Sequence, residues 1–509
     1  MRIVATPLPT PLTVPPPRDG GLAAGLFPAF LPVSAPAAVE ALSRLQRPDA
    51  LVVTTGQQPG LFTGPLYSVF KALSAAALAR QLQARWDRPV VPVFWTAGDD
   101  HDFAEARTSH WLDASGELAS ASLPDRPEDA PLTPMSRLPL GPEVEGLLAS
   151  LEISLPASPF RDETMAWLRR YYLPEATIGA AFSGAMAEFL ERFGILTFDP
   201  THPAAKQAMA PLLLRALEQA ASLESALVEH VGLLAAAGRP APVPVGGGAS
   251  LVFLDGAAGR DRLVTEGGNF LSRRAGSRWS LAELEQIAAR EPTRLSPNVL
   301  LRPVVESALL PTVAYVAGPG ELAYLPMCEP LYWQLDIPPQ RPIPRWSGLL
   351  LEARVDRVLT KFAADLPELL QPGQALEARV VRDQLPSGLH HAAARLRGAI
   401  DTEYAAILEA ATGVDPTLER PVTSARQHAH TELADLEKRV QGHLKKRQAT
   451  ELAQIARARL AVQPAGRPQE RVLGAPGWLA RFGPALFDDV FAEIQRWCAE
   501  GLAGGPGAP

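Results

Sequence analysis

Residues 51–95 carry the pattern that most narrows the fold. A β-branched run, LVVTT, leads into the glycine loop GQQPGLFTG, then a long segment with helical spacing, then a second β-rich run, PVVPVFW. After the loop, Leu66, Val69, Phe70, Leu73 and Ala77 recur three and four residues apart, which places them on one helical face. Gly64 can cap that helix, with Pro65 at its first position, where the missing N–H costs nothing. Strand, helix and strand in that order make a βαβ unit, which implies a parallel sheet with a right-handed crossover. The expected fold class is therefore α/β.

ILTFDP at 195–200 reads as another strand. PVPVGGGASLVFLD and VVESALLPTVAYVAGPGELAYLP read as further strands and turns of the same body. Residues 112–160 are rich in proline, serine and acidic residues, and helical texture returns near MAEFLERFG. An insertion around 112–190 is therefore expected within a core spanning 1–348. From about Leu349 strand signals thin out: Leu433, Leu436 and Val440 step by three and four, and Leu452 and Ile455 repeat the step. That spacing predicts a helical hairpin or short coiled coil within 349–462. The Pro- and Gly-rich AVQPAGRPQERVLGAPGW ends it and leads into a helical C-terminal segment, 463–509.

A chain of 509 residues exceeds one ordinary core, and its 47% hydrophobic and 20% charged content suits globular domains rather than disorder. The net charge of −7 argues against a general nucleic-acid binder, so any anion must be handled locally. The uncharged apolar runs are too short to span a bilayer, and the proline-broken N-terminus lacks a signal-peptide core. Cys328 and Cys498 are the only cysteines, which leaves no disulfide framework and makes a reducing cytoplasm the expected location. Cys328, in an apolar setting with no histidine near it in sequence, reads as a core residue rather than a nucleophile.

A loop between a parallel strand and the following helix sits where open α/β sheets bind ligands. Here Gly56, Gly64, Gln57, Gln58 and Thr63 offer amides, hydroxyl and close backbone approach, and Lys71 a charge two turns on. The alternative is a tight connection whose glycines serve packing: Gly56, Gly60 and Gly64 do not fit the dinucleotide spacing, and no Gly-Lys pair exists for a Walker loop.

The next strand ends in WTAGDDHDFAEA, residues 95–106, with Asp99, Asp100, His101, Asp102 and Glu105. If a helix begins there, His101 and Glu105 share one face and Asp99 and Asp102 another. Surrounding carboxylates are expected to raise the pKa of His101 and to welcome an ammonium group. Weak Mg²⁺ or Mn²⁺ ligation and plain helix capping are the alternatives. RLSPNVLLRPVVES contributes Ser296, Asn298 and Arg302; the arginine, in an apolar setting, needs an anionic partner, either a ligand or an internal one such as Glu306. AGPGELAYLP places Gly318, Pro319 and Gly320 before Glu321 and Tyr324, a turn able to close over a ligand or simply a turn.

Taken in order, TTGQQPGLFTGPLYSVFK, PVFWTAGDDHDFAEA, LSPNVLLRPVVES, AGPGELAYLP and GRPQERVL resemble the cysteine ligase family of bacillithiol biosynthesis. The resemblance implies a Rossmann-like parallel-sheet core with inserted connecting elements, laid out like class I aminoacyl-tRNA synthetases. It also implies an α-helical coiled-coil domain through which two chains pair as a homodimer. The implied reaction joins the carboxyl group of cysteine to the amine of glucosaminyl malate, without nucleic acid or membrane. On the family's motifs the candidate catalytic residues are His101, Asp100, Asp102 and Glu105. The candidate substrate-binding residues are Gly56, Gln57, Gln58, Thr63, Gly64, Lys71, Trp95, Ser296, Asn298, Arg302, Gly320, Glu321 and Tyr324, and no metal ligand is assigned. The family commonly carries Ser-Glu where this chain has Gly98-Asp99, a shorter carboxylate.

Amide formation from a free carboxylate is uphill in water, so activation by ATP or another nucleotide, with Mg²⁺, is expected. The amides of residues 63–67 and Lys71 would then steady phosphate or carboxylate oxygens. Asp100 and Asp102 would hold the cysteine ammonium, His101 oriented by Glu105 would shuttle a proton, and Arg302 would meet the malyl carboxylates. Two other classes stay open: a metal-dependent hydrolase built on the Asp/His cluster, and a non-catalytic dimeric scaffold that binds a nucleotide or thiol.

Overall fold

In the computed structural model of the chain, strands Leu51–Gln57 and Val90–Thr96 pair in parallel from Leu51 opposite Val90 to Gln57 opposite Thr96. The helix between them runs Leu66–Trp86. Pro65 is its cap rather than its first residue, because Gly64 is in the left-handed region (φ 66°) and ends the preceding turn Leu61–Thr63. The structure describes residues 1–8, 10–14, 17–383 and 387–503. They divide into two compact units: Ile3–Leu349 with Arg467 onward, and Met1–Arg2 with Leu350–Gly466.

The first unit is built on a five-stranded parallel sheet in the order Arg341–Pro344, Thr312–Ala317, Leu51–Gln57, Val90–Thr96, Leu196–Phe198. The Leu66–Trp86 helix is buried on nearly every side, and Ala72, Ala75, Ala76, Ala77 and Ala79 are wholly inaccessible. Such small side chains let it lie close to the central strands on one side and to helix Ala485–Ala503 on the other. The region around 112–190 holds a hairpin, Thr108–Leu112 with Leu118–Ser122, and helices Glu143–Ser154, Arg161–Tyr171 and Ile178–Glu191.

The strand expected from SLVFLD does not join the parallel sheet. Ala249–Gly256 belongs to a separate antiparallel sheet, with Gly259–Glu266, Asn269–Ser272, Arg278–Trp279 and Leu295–Pro297. The connection decides this: only Ala257 and Ala258 separate Gly256 from Gly259, a hairpin turn, and a parallel return would need a crossover many times longer.

In the second unit, helices Ser387–Val414 and Glu419–Arg447 run antiparallel across the turn Pro416–Leu418. The direction follows from the ion pairs, since Arg397 meets Glu437 whereas Asp401, further along, meets Arg426 and His430. Leu433 and Ile455 of the expected apolar stripe are buried, but Leu436 is 53% exposed. A two-helix contact covers a narrower seam than the full stripe, and Leu436 falls beside it. Among the described residues no helix is long and apolar enough to cross a membrane.

Candidate active site

Chain order in the parallel sheet reverses between Leu51–Gln57 and Thr312–Ala317: later strands add outward on both sides of that pair. The loops leaving the C-terminal ends of those two strands diverge there, and open α/β sheets place ligands in the resulting crevice. A cavity of about 560 Å³ occupies it, lined by Gly56, Gln57 and Gln58, by Asp99, Asp100 and Glu105, and by Gly318, Gly320 and Glu321. A Cβ at Gly56 would lie 3.0 Å from the Trp95 carbonyl oxygen, a tight contact that favours glycine at this point of the sheet. Trp95 also lines the cavity, its ring held against Phe198.

The acidic loop is tighter than expected. Its helix is only Phe103–Ala106, and Asp102 is the cap, its Oδ1 accepting from the Glu105 amide at 3.2 Å. Asp100 Oδ1 accepts from the Asp102 amide at 2.9 Å. Asp99 lines the cavity but is already paired, with both carboxylate oxygens on the buried Nζ of Lys206 at 2.7 and 2.8 Å. Asp100 and Glu105 are therefore the carboxylates of this loop that face the cavity without a cation bonded to them among the described residues. Burial, with Asp102 and Asp100 nearby, pushes the Glu105 carboxyl above the usual range, against hydrogen bonding from Tyr67 and Gln58.

The expected rise in the His101 pKa is reversed. Burial and the guanidinium of Arg260 lower it, outweighing Asp100 and Asp102, and the ring is neutral near pH 7. Arg260 Nη1 approaches Nδ1 at 3.4 Å, and an arginine can only donate, so the neutral ring carries its proton on Nε2. His101 and Asp102 both lie outside the cavity lining. His101 packs against Phe253 of the antiparallel sheet, and the expected proton shuttle through it does not match this geometry.

The glycine loop departs from expectation in the same way. The Thr63 amide donates to the Tyr172 hydroxyl at 2.7 Å, the Gly64 amide to Leu61 O at 3.0 Å and the Leu66 amide to Leu473 O at 2.9 Å. Thr63 and Gly64 do not line the cavity, and no oxyanion cradle exists at these amides. Phe62 and Thr63 adopt positive φ without being glycines, a strained path maintained by Tyr172, which also meets the Phe62 ring edge-on.

Lys71 reaches the cavity floor but is saturated. Its Nζ donates to Glu321 Oε2 at 2.7 Å, to the Gly56 carbonyl oxygen, and to Gln57 Oε1 at 3.4 Å. Burial lowers its pKa, opposed by Glu321. Gln57 is committed too, donating to the Tyr67 hydroxyl at 3.0 Å, which in turn reaches Glu105 at 3.4 Å. Gln58 differs: its Nε2 is buried beside Glu105 without a hydrogen bond of full geometry.

Arg302 has the internal partner that its setting demanded. Nη1 donates to Glu306 Oε2 at 2.9 Å and Nη2 to the hydroxyls of Tyr324 and Tyr315 at 3.2 and 3.4 Å. Glu306 is wholly buried and also takes the Thr54 hydroxyl at 2.5 Å. Ser296 lies behind the lining and accepts from Arg260 Nε at 2.8 Å, and Asn298, which lines the cavity, uses Oδ1 to hold the amides of Leu300 and Leu301. Tyr324 and Gly320 also line it. Cys328 is wholly buried, its thiol pushed up to about 12 by burial, as a core residue's would be.

Sequence reasoning missed Tyr67, Lys206, Arg260, Tyr315, Arg345 and Arg471, all but Lys206 in the lining. Lys206 had a signal, a lone lysine on the helix face of Ala205, Met209 and Leu213. Arg471 stands in the quoted GRPQERVL, and Arg260 carried no signal. Among the described residues no three His, Cys, Asp or Glu side chains come together as a metal-ligand set.

Comparison with known proteins gives two family matches. "Bacillithiol biosynthesis BshC, N-terminal Rossmann-like domain" matches residues 29–345, and "Bacillithiol biosynthesis BshC, C-terminal coiled-coil domain" matches residues 348–497. Similar proteins named "Putative cysteine ligase BshC" include that of Symbiobacterium thermophilum, 31% identical over 478 residues, covering 90% of this chain and 84% of the relative. That of Salinibacter ruber is 31% identical over 457 residues, covering 88% and 82%. That of Prosthecochloris aestuarii is 28% identical over 481 residues, covering 91% and 84%.

Proposed function

Because the chain belongs to the BshC family of bacillithiol biosynthesis, we propose that its cavity joins the carboxyl group of cysteine to the amine of glucosaminyl malate. The observation that supports this reading is the pair of cavity carboxylates, Asp100 and Glu105, without a bonded cation. A carboxylate with a raised pKa beside two aspartates marks excess negative charge, which a substrate ammonium would relieve. Asp100, oriented by the Asp102 amide, anchors the cysteine ammonium. Glu105 accepts the proton from the attacking sugar amine, a task that a raised carboxyl pKa suits. Asp102 positions Glu105 through the helix cap, and Gln58 lies beside Glu105 in the lining.

ATP or another nucleotide with Mg²⁺ is the proposed source of activation, but of the donors put forward for its phosphates the 63, 64 and 66 amides and Lys71 are engaged internally. The hydrolase alternative loses its premise, since Asp99 is spent on Lys206 and Asp102 on the helix cap. Pairing of two chains through the coiled-coil hairpin and a cytoplasmic location complete the proposal.

The test is purified protein with cysteine and glucosaminyl malate, with and without ATP and Mg²⁺, assayed by mass spectrometry for the amide. It is paired with thiol profiling of cells lacking the gene. No amide under any condition, and no accumulated glucosaminyl malate in those cells, would defeat the reading.

A further inference from the structure

Five cations line the cavity, and four are spoken for. Lys71 is paired with Glu321, Arg302 with Glu306 and Arg345 with Glu470. Arg260 donates to Ser296 Oγ, to the Pro297 carbonyl oxygen at 2.5 Å and toward His101, with its guanidinium on the Phe253 ring. The fifth, Arg471, is partly buried and makes no side-chain hydrogen bond or ion pair among the described residues. Its charge is felt at Tyr67, on the first turn of the Leu66–Trp86 helix. A guanidinium drawn partly out of water without a counter-charge is unfavourable, and none is bonded to it among the described residues.

Arg471 is also held in place. Its neighbour Glu470 is buried and binds Arg345, the Ser347 hydroxyl at 2.7 Å and the Gly348 amide at 3.3 Å. Gln469 is wholly buried, and its carbonyl oxygen accepts from the amides of Val472 and Leu473. Leu473 O in turn takes the Leu66 amide, and Gly474 bridges to Pro65. The C-terminal segment is thus sewn to the start of the helix that carries Tyr67 and Lys71, and its turn presents Arg471 to the cavity with little left to order on binding.

We propose that Arg471 is the cavity's ligand-facing cation and binds an oxyanion of the ligand, a carboxylate or a phosphate, in the same cavity as the ammonium site at Asp100 and Glu105. Arg302, the expected anion contact, is already satisfied, so the anion half of recognition comes from the C-terminal segment instead. The use of malate as a probe rests on the proposed function; the cation's role does not.

The experiment is calorimetric titration of full-length wild-type protein, Arg471→Gln and Arg471→Lys with L-malate, with ATP and with cysteine. Loss of a charge-assisted contact should weaken L-malate or ATP roughly ten- to hundredfold in the Gln variant, with cysteine unchanged and Lys restoring part of the loss. Which probe responds identifies the oxyanion as carboxylate or phosphate. The Arg471 side chain supports no internal bond among the described residues, so both variants should melt with the wild type. If Arg471→Gln leaves both affinities at the wild-type value, or the wild type binds neither probe, the proposal is wrong. A wild type that binds through Arg471 yet makes no amide defeats the ligase reading alone.

Discussion

Lys206 and Asp99 are joined through both carboxylate oxygens, with Nζ 2.7 Å from one and 2.8 Å from the other and also donating to the Leu295 carbonyl oxygen at 2.9 Å. The pair ties the acidic loop to the strand Leu295–Pro297 of the antiparallel sheet, and it removes one of the four carboxylates that the sequence gathers around His101. Asp99 is therefore a structural counter-ion, and Asp100 and Glu105 carry the site's free negative charge.

Breaking that pair should cost more than deleting it. Lys206 is 1% exposed, so Asp99→Asn strands a buried ammonium, and a loss of about 3–5 kcal/mol is expected. Lys206→Met combined with Asp99→Asn removes both charges and should be less destabilising than Asp99→Asn alone. Urea denaturation of the single and double variants measures the difference; a double variant as unstable as the sum of the two would contradict the assignment.

The βαβ unit was legible because its signals are local: β-branched strands, a glycine loop, and apolar residues at helical spacing, all within residues 51–95. What the sequence withheld was set by distant partners. Thr63 is disarmed by Tyr172, and His101 is held neutral by burial and by Arg260; both partners lie more than a hundred positions away in the chain. The acidic stretch showed which charges are close in sequence but not that one of them is spent on Lys206. The glycine loop showed amides but not that Leu473 and Tyr172 would occupy them. Arg302 was legible as needing an anion, and of the two partners left open the structure supplies the internal one, Glu306.

Glu321 should make stability depend on acid. Burial alone would raise its carboxyl pKa, but Lys71 and Arg302 outweigh it and hold the group below the ordinary range. A depressed folded pKa contributes stability that is complete above the unfolded value of about 4.3 and is lost as pH falls through the folded one. Glu321→Gln should therefore cost about 3–5 kcal/mol near pH 7, leaving Lys71 uncompensated. The gap to wild type should close as pH drops below that range, as read by thermal melts at stepped pH.

If Glu105 accepts the proton of the attacking amine, it must be ionised to act. Its pKa is raised, so kcat/KM should rise with pH through an acid limb above the usual glutamate value of about 4.3. Glu105→Gln should abolish that limb and lower kcat by roughly 10²–10⁴-fold, whereas His101→Gln should leave the limb in place. A limb that survives in Glu105→Gln and vanishes in His101→Gln would return the role to the histidine.

On the helical hairpin, Leu396 and Leu436 are 50% and 53% exposed and are the chain neighbours of the ion-paired Arg397 and Glu437. Two large apolar side chains left in water at one level of an antiparallel pair are what a second copy of the hairpin would cover. Leu433, by contrast, is 7% exposed and holds the hairpin itself together. Leu436→Glu should thus weaken self-association at least tenfold with little change in helix content, because each covered leucine contributes about 1.5–3 kcal/mol. Leu433→Ala should lower the hairpin's stability by about 2–5 kcal/mol. Analytical ultracentrifugation and circular dichroism on both variants separate the two effects, and a Leu436→Glu protein that sediments like the wild type would rule out the proposed pairing through this face of the hairpin.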